Sequence, residues 1–476
     1  MLVISPKLAN WISQNKEIIL LTLFFGFLYS YISIIKHDHY QTFTWDTGFF
    51  DQLIWKVSRL KEPISSFTGL HILGDHFQVV LLFFTPLYWL PDSINLLFSA
   101  QAFIAVFSAI PLYLISFHFF KHKLLSLAIS LSMIIYTGMQ FAILDGFHQS
   151  VFSPLFFTLA FYGLVKKSNK LYWLSIIGLL ITKEEMALLA TAIGISIFLL
   201  GYKLKGSATV AISIISFFLI VNWVIPSIQG EYMHYGYGEL GYTPEEILKT
   251  SLFKPYLIFN NLVSPQVKIK TVLNTFISFG FLPILSPVVL ISALQQFTVR
   301  FLDTVTVHRW TNLNHYAFPI AAIMPMATVY SVRLILRKVK KVNSVKSIIA
   351  IHIVFIAIAQ TIIFHGPINS VLKKDFFIKK QWMKNNDDII RYVPENASVG
   401  VTNNLGPHIS QRDNFYLIEE NNSAEYLLFD LEDGPNKYSP QSYKKTLNIF
   451  KNEIKSDNYK IKINIGKAFL LKKNSN

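Results

Sequence analysis

Five groups of ionisable residues in this chain have the types and spacing that chemistry needs. Thr44-Trp45-Asp46-Thr47-Gly48-Phe49-Phe50-Asp51 sets two carboxylates five residues apart among aromatic side chains. A carboxylate in apolar surroundings is harder to ionise and can act as a general base near neutral pH, so Asp46 and Asp51 are the candidate catalytic residues. Capping a helix is the alternative role of Asp46. His71, Asp75 and His76 lie directly ahead of an apolar segment. They suit a divalent cation or a phosphate, although their spacing matches no compact metal motif and Asp75 could also cap a helix. Asp145 and His148 occupy a short turn between two apolar runs. Lys183, Glu184 and Glu185 interrupt the apolar stretch 171–200, where ionisable side chains must face one another, a polar cavity or the interface. Arg300, Arg309, His315 and Tyr316 form the fifth group; the planar fork of Arg suits a phosphate or diphosphate, with interfacial snorkelling as the alternative. No single group is specific. Their convergence on one side of the protein points to a polar, partly buried site.

The elements that must position these residues are apolar. Of 476 residues, 52% are hydrophobic and only 15% charged, against about 25% in an ordinary globular chain, and mean hydropathy is +0.41. This is the composition of an α-helical polytopic membrane protein and excludes a soluble enzyme, a fibrous protein or a disordered scaffold. A bilayer core about 30 Å thick calls for apolar runs of about 20 residues. Such runs cover 18–35, 77–90, 94–119, 124–144, 151–165, 171–200, 208–228, 272–301, 316–334 and 348–364. Residues 171–200 are interrupted by Thr182-Lys183-Glu184-Glu185, and 272–301 contain Pro283 and Pro287, so each reads as a broken helix or a pair of short passes. The expectation is about ten to twelve passes in 1–368.

Lys121/Lys123, Lys166/Lys167/Lys170, Lys203/Lys205 and Arg337–Lys341 are expected on the cytoplasmic side. The N-terminus is then cytoplasmic and uncleaved. The first external loop covers about 36–75, and 145–150, 229–270 and 303–315 share its side. The net charge of +15 is explained by basic loops facing anionic lipid, so no nucleic-acid partner is implied. The chain has no cysteine, which excludes disulfides, thiolate metal sites and Cys nucleophiles. From 369 to 476 the sequence turns polar. It shows β-type runs at 397–402, 426–430 and 460–471 and helical patterns at 376–392 and 440–454, which reads as a small external α/β domain. It holds no phosphate-cradling Gly-rich loop.

Trp45-Asp46-Thr47-Gly48-Phe49-Phe50-Asp51-Gln52-Leu53-Ile54-Trp55, Gly74-Asp75-His76-Phe77, Asp145-Gly146-Phe147-His148 and Thr182-Lys183-Glu184-Glu185 resemble an uncharacterised prokaryotic family of multi-pass membrane proteins. Pro283, Pro287, His315-Tyr316, Pro319 and Pro325 extend that resemblance, as do Pro394–Val399 and His408–Arg412 in the tail. The family is in turn similar to the C-type membrane glycosyltransferases. That similarity implies transfer of a sugar from a polyprenyl-phosphate carrier at the external face of a prokaryotic plasma membrane, with inversion at the sugar. An acidic first-loop residue, here Asp46, would be the base; the adjacent Asp-Glu pair of the mannosyltransferases is absent. Arg300, Arg309 and Lys183 would neutralise the phosphate. His71, Asp75, His76, Asp145, His148, Glu184 and Glu185 would shape the pocket for sugar and acceptor. No cofactor is required, and a divalent cation is possible on these residues. The implied partners are membrane lipids, a lipid-linked sugar and an acceptor that the sequence does not identify. The rival readings are a transporter or lipid flippase without covalent chemistry, and an envelope assembly protein.

Overall fold

The computed structural model of the chain describes residues 5–420, 423–432 and 443–474. Leu-, Ile- and Phe-rich runs have no water to satisfy their backbone groups in a bilayer, and they form helices that bond internally. Among the described residues five are long and apolar enough to cross a membrane: Lys16–Asp38, Ser93–Phe120, Lys203–Gln229, Val307–Leu336 and Val342–Ile363. Lys123–Ile134 and Thr137–Leu144 make a sixth if their 45° bend is one span. Val79–Trp89, Gln149–Val165, Met186–Leu199 and Pro287–Leu302 are apolar but shorter. The expected ten to twelve passes therefore resolve into five or six full-length spans plus shorter helices.

Val307–Leu336 is the central helix, mostly buried, whereas Lys203–Gln229 and Val342–Ile363 are mostly exposed. Their bare faces carry large apolar side chains such as Trp223, Ile351 and Phe355, as lipid-facing surface requires. The interrupted stretch 171–200 divides at Thr182–Glu185 into helices Asn169–Leu180 and Met186–Leu199. The stretch 272–301 divides at a 3-10 turn, Leu282–Leu285, between Val267–Ser278 and Pro287–Leu302. Residues 79–89 form a 3-10 helix, about 22 Å long at about 2.0 Å per residue. The polar loop 229–270 contains two further helices, Pro244–Phe253 and Pro255–Val263, exposing Leu248, Leu252, Phe253, Tyr256 and Phe259.

Lys16–Asp38 relates the two ends of the bundle. Near its start Glu17 pairs with Lys123 at 2.9 Å, in one of the basic clusters. Near its end Lys36 donates to the Leu144 carbonyl, next to Asp145. Nineteen residues of helix separate the two, about 29 Å, which puts this basic cluster and the Asp145 turn at opposite ends.

The C-terminal region is a five-stranded sheet flanked by helices. Its strands are β1 Val399–Val401, β2 Phe415–Leu417, β3 Tyr426–Asp430, β4 Tyr459–Ile465 and β5 Ala468–Lys473, in the order β2-β1-β3-β5-β4. β2, β1 and β3 are parallel, and β5 is antiparallel to both β3 and β4. The single β run expected at 460–471 is in fact a hairpin turning at Gly466 (φ +62°). β2 is additional to the expected strands. Alternation sorts the side chains of β3: Tyr426 and Leu428 face a cluster with Met383 and Ile389 of helix Gln381–Ile390. Leu427 and Phe429 face one with Leu447 and Phe450 of helix Tyr443–Lys455. Residues 440–442 of the expected second helix lie outside the described residues. Tyr40, just past the first span, inserts into the first cluster and donates to Asp387 at 2.8 Å, fastening the sheet to the helical bundle.

Candidate functional site

Asp46 sits in a tight turn, Thr44–Gly48, between the first span and helix Phe49–Ser58. Its backbone is at φ 66°, ψ −81°, a conformation that costs a non-glycine residue about 1–3 kcal/mol and persists only where its surroundings impose it. Here they do. Thr44 donates its N–H to the Asn403 side chain (2.9 Å) and its hydroxyl to the Asn403 carbonyl (2.9 Å). Gly48 packs against Gly406 and Pro407, and a Cβ at Gly406 would collide with the Thr44 hydroxyl. Across the turn, a Cβ at Gly146 would lie 2.5 Å from the Thr47 hydroxyl.

This turn borders a cavity of about 190 Å³. Of the residues expected from sequence, Asp46, Asp75, His76, His148, Lys183, Glu185, His315 and Tyr316 line it, with Trp45, Phe49, Phe50 and Met186 as apolar wall. The Asp46 side chain is half open, but its opening is onto this cavity. Burial by the surrounding protein pushes its carboxyl up to about 6. Asp145 stands behind the cavity, accepts from the backbone N–H of His315 (3.0 Å) and meets that residue's Nδ1 at 3.2 Å. Burial, reinforced by the Asp46 charge, pushes Asp145 to about 6 as well. The His148 ring stacks on His315 with centroids 3.5 Å apart, and its Nε2 lies 3.7 Å from both Asp46 Oδ2 and Asp145 Oδ2. Buried Gln101, from the Ser93–Phe120 span, holds this turn: its Nε2 donates to the Ile143 and Gly146 carbonyls and its Oε1 accepts from the His148 N–H.

The opposite wall is a second polar cluster. Buried Glu184 accepts from Phe77 N–H (3.1 Å) and Tyr232 hydroxyl (3.0 Å) and bonds His76 Nδ1 (2.7 Å). Asp75 meets His234 Nε2 at 3.1 Å, and the rings of His76 and His234 stack at 4.0 Å. Tyr232 and His234 were not singled out from the sequence. They belong to Tyr232-Met233-His234-Tyr235-Gly236-Tyr237, an aromatic and His cluster in a stretch otherwise read as a polar loop.

Five residues expected at the site do other work. Asp51 is fully buried away from the cavity and accepts from Tyr88 (2.7 Å), Gln411 (3.1 Å) and the Ser410 hydroxyl. The two aspartates lie on different sides of their segment, and Asp51 joins the bundle to the sheet region. His71 caps the short turn Ile72–Asp75, its Nδ1 accepting from Leu73 N–H at 3.1 Å. Glu184 is consumed by the three contacts above. Arg300 is buried and donates to the carbonyls of Arg309, Thr311 and Tyr316. Arg309 is split between Glu185 (2.9 Å) and Asp303 (3.0 Å). Neither arginine lines the cavity; the lining cation is Lys183, 4.0 Å from Glu185.

The arrangement offers a carboxylate base, an ammonium cation and several imidazoles around one small volume, which suits binding and proton transfer at a polar substrate group. No curated protein matches the chain. A family model described as "Predicted membrane protein (DUF2079)" matches residues 36–464, which contain every residue of the cavity, and the chain belongs to this family of membrane proteins.

Proposed function

We propose that this membrane protein is a glycosyltransferase that moves a sugar from a polyprenyl-phosphate carrier to an acceptor hydroxyl at the cavity, on the external face of the membrane. The observation that carries the reading is the convergence of the strained Asp46 turn and Lys183 on one cavity, from segments far apart in sequence. In the reaction the acceptor O–H loses its proton to an Asp46 carboxylate oxygen. The acceptor oxygen bonds to the anomeric carbon as the carbon–oxygen bond to the phosphate breaks, and that electron pair leaves with the lipid phosphate. Attack opposite the leaving group inverts the sugar. Lys183 carries the charge that grows on the phosphate, and burial makes that interaction stronger than it would be in water. The imidazoles of His76 and His315 and the Tyr316 hydroxyl supply hydrogen bonds to the sugar. No nucleotide is consumed, in keeping with a tail that lacks a phosphate-binding loop.

The test uses purified protein reconstituted with the lipid extract of its own host and reads release of free polyprenyl phosphate. Wild type is expected to release it, and Asp46→Asn to be slower by about 10²–10⁴-fold at an unchanged melting temperature. No release by wild type, or full release by Asp46→Asn, overturns the reading; uptake of lipid without cleavage would move the assignment to transport.

A further inference from the structure

His148 presents an unusual arrangement. Its side chain is 3% exposed, its Nε2 has no hydrogen-bond partner among the described residues, and the opposite edge of the ring bonds the Asp145 backbone. A buried imidazole nitrogen left without a partner costs about 1–3 kcal/mol, so the position needs an explanation. Two carboxylate oxygens, from Asp46 and Asp145, stand 3.7 Å from that nitrogen, too far to accept a hydrogen bond. That is the separation expected of groups arranged around a common third atom. Ligands 2.0–2.1 Å from a tetrahedral ion lie about 3.4 Å from one another. Asp145 Oδ2 is 3.2 Å from His315 Nδ1 and 3.7 Å from His148 Nε2, and the ligand atoms of all three residues fall within 4.8 Å. The bond from the far edge of the His148 ring to a backbone carbonyl fixes the tautomer that leaves Nε2 with a free lone pair, as metal-binding histidines usually require.

Charge points the same way. Three carboxylates, Asp46, Asp75 and Glu185, line the cavity against the single ammonium of Lys183. Arg309 offsets Glu185 at 2.9 Å, which leaves two carboxylates against one ammonium, and a further cation there would favour an anionic phosphate group.

We propose that Asp145, His148 and His315 bind one divalent metal ion of the zinc class, with its open coordination position directed at Asp46 and the cavity. Two imidazoles and one carboxylate favour a borderline ion such as Zn²⁺ over Mg²⁺, which takes oxygen ligands. The ion's part in chemistry rests on the transfer reading given above: it would draw the acceptor oxygen in beside Asp46 and lower the pKa of its hydroxyl. The binding itself does not rest on that reading. The second cluster, Asp75, His76 and His234, differs in that His76 Nδ1 is taken up by Glu184, a residue outside the cluster, so it serves as an internal control.

The experiment is calorimetric titration of chelator-treated, detergent-purified full-length protein with ZnCl₂ and, separately, MgCl₂, with Co²⁺ absorption spectra as a second readout. Wild type is expected to take up one Zn²⁺ per chain at the site, with Co²⁺ giving a tetrahedral spectrum and Mg²⁺ binding at least 100-fold more weakly. His148→Ala and His315→Gln should each weaken that equivalent at least 10-fold, while His234→Ala leaves it intact. His315→Gln, the milder change, carries the test if His148→Ala is not monodisperse. Absence of Zn²⁺ binding, equal binding of Mg²⁺, or wild-type affinity in both variants overturns the site. Zinc binding without polyprenyl phosphate release removes the transfer reading and leaves the site. Full release after chelation removes the ion from the reaction and leaves the transfer reading.

Discussion

Asp46 and Asp51 lie in one short segment and meet different fates. Asp46 faces a cavity, while Asp51 is sealed by Tyr88, Ser410 and Gln411. For Asp51, burial outweighs three donated hydrogen bonds and raises its carboxyl to about 6 from an ordinary 3.8. Between those values the folded protein retains a proton that the unfolded chain has released, so stability falls as pH rises. The contribution is fully present below about 3.8 and lost by the time pH passes through about 6, a swing of roughly 3 kcal/mol at most. Asp51→Asn has no such proton to lose. Thermal melts of wild type and Asp51→Asn from pH 4 to 7 should therefore show the variant gaining on wild type as pH rises; parallel curves would return Asp51 to an ordinary pKa.

At the scale of elements, the Asp46 turn is imposed from outside its own segment. The loop that holds it leaves the carboxyl end of β1, the end of a parallel strand where α/β folds commonly build sites. Asp430, at the end of neighbouring β3, accepts from Asn386 (2.8 Å) and Asn404 (2.7 Å), fixing the residue beside Asn403. A chain of bonds thus runs from the sheet core through Asn404 and Asn403 to Thr44. Thr44 N–H also donates to the Asn403 carbonyl at 2.9 Å, so Asn403→Ala removes one of its two acceptors and should cost about 0.5–1.5 kcal/mol. If the turn carries the base, as proposed, the same variant should lower kcat for polyprenyl phosphate release more than it raises KM. A melting temperature and kcat both equal to wild type would show that the turn holds its shape unaided.

At the scale of the molecule, the span Lys16–Asp38 separates the Lys121/Lys123 cluster at one end from the cavity and the sheet region at the other. Loop charge predicts that the basic end is cytoplasmic. The cysteine-free sequence makes the prediction directly measurable with single introduced cysteines. Exposed Lys338, in the basic run ahead of helix Val342–Ile363, whose Ser347 meets His122 beside Lys121/Lys123 at 3.4 Å, and exposed Lys384, in the helix against the sheet, are suitable positions. A membrane-impermeant thiol reagent applied to intact cells should label Lys384→Cys and spare Lys338→Cys until the cells are opened. The reverse pattern would put the cavity on the cytoplasmic side and remove the external transfer reading.

The membrane class was legible in composition and run length, because lipid leaves a spanning backbone little choice but helix. Breaks at Thr182–Glu185 and Pro283–Pro287 were legible too, since charge and proline are costly inside an apolar helix. The polar positions that gather at the cavity could be named from the sequence, but their duties could not. Arg300 looked like a phosphate ligand and is spent on three carbonyls, and Asp51 looked catalytic and fastens the sheet region, because residue type does not say which neighbour takes up a side chain's hydrogen bonds. His234 escaped notice in a loop far from its partner Asp75. The partnerships Thr44–Asn403, Asp145–His315 and His76–Glu184 join residues more than a hundred positions apart. Only the tertiary fold decides such pairs, since hydrogen bonds depend on distances of a few ångströms that local sequence does not encode.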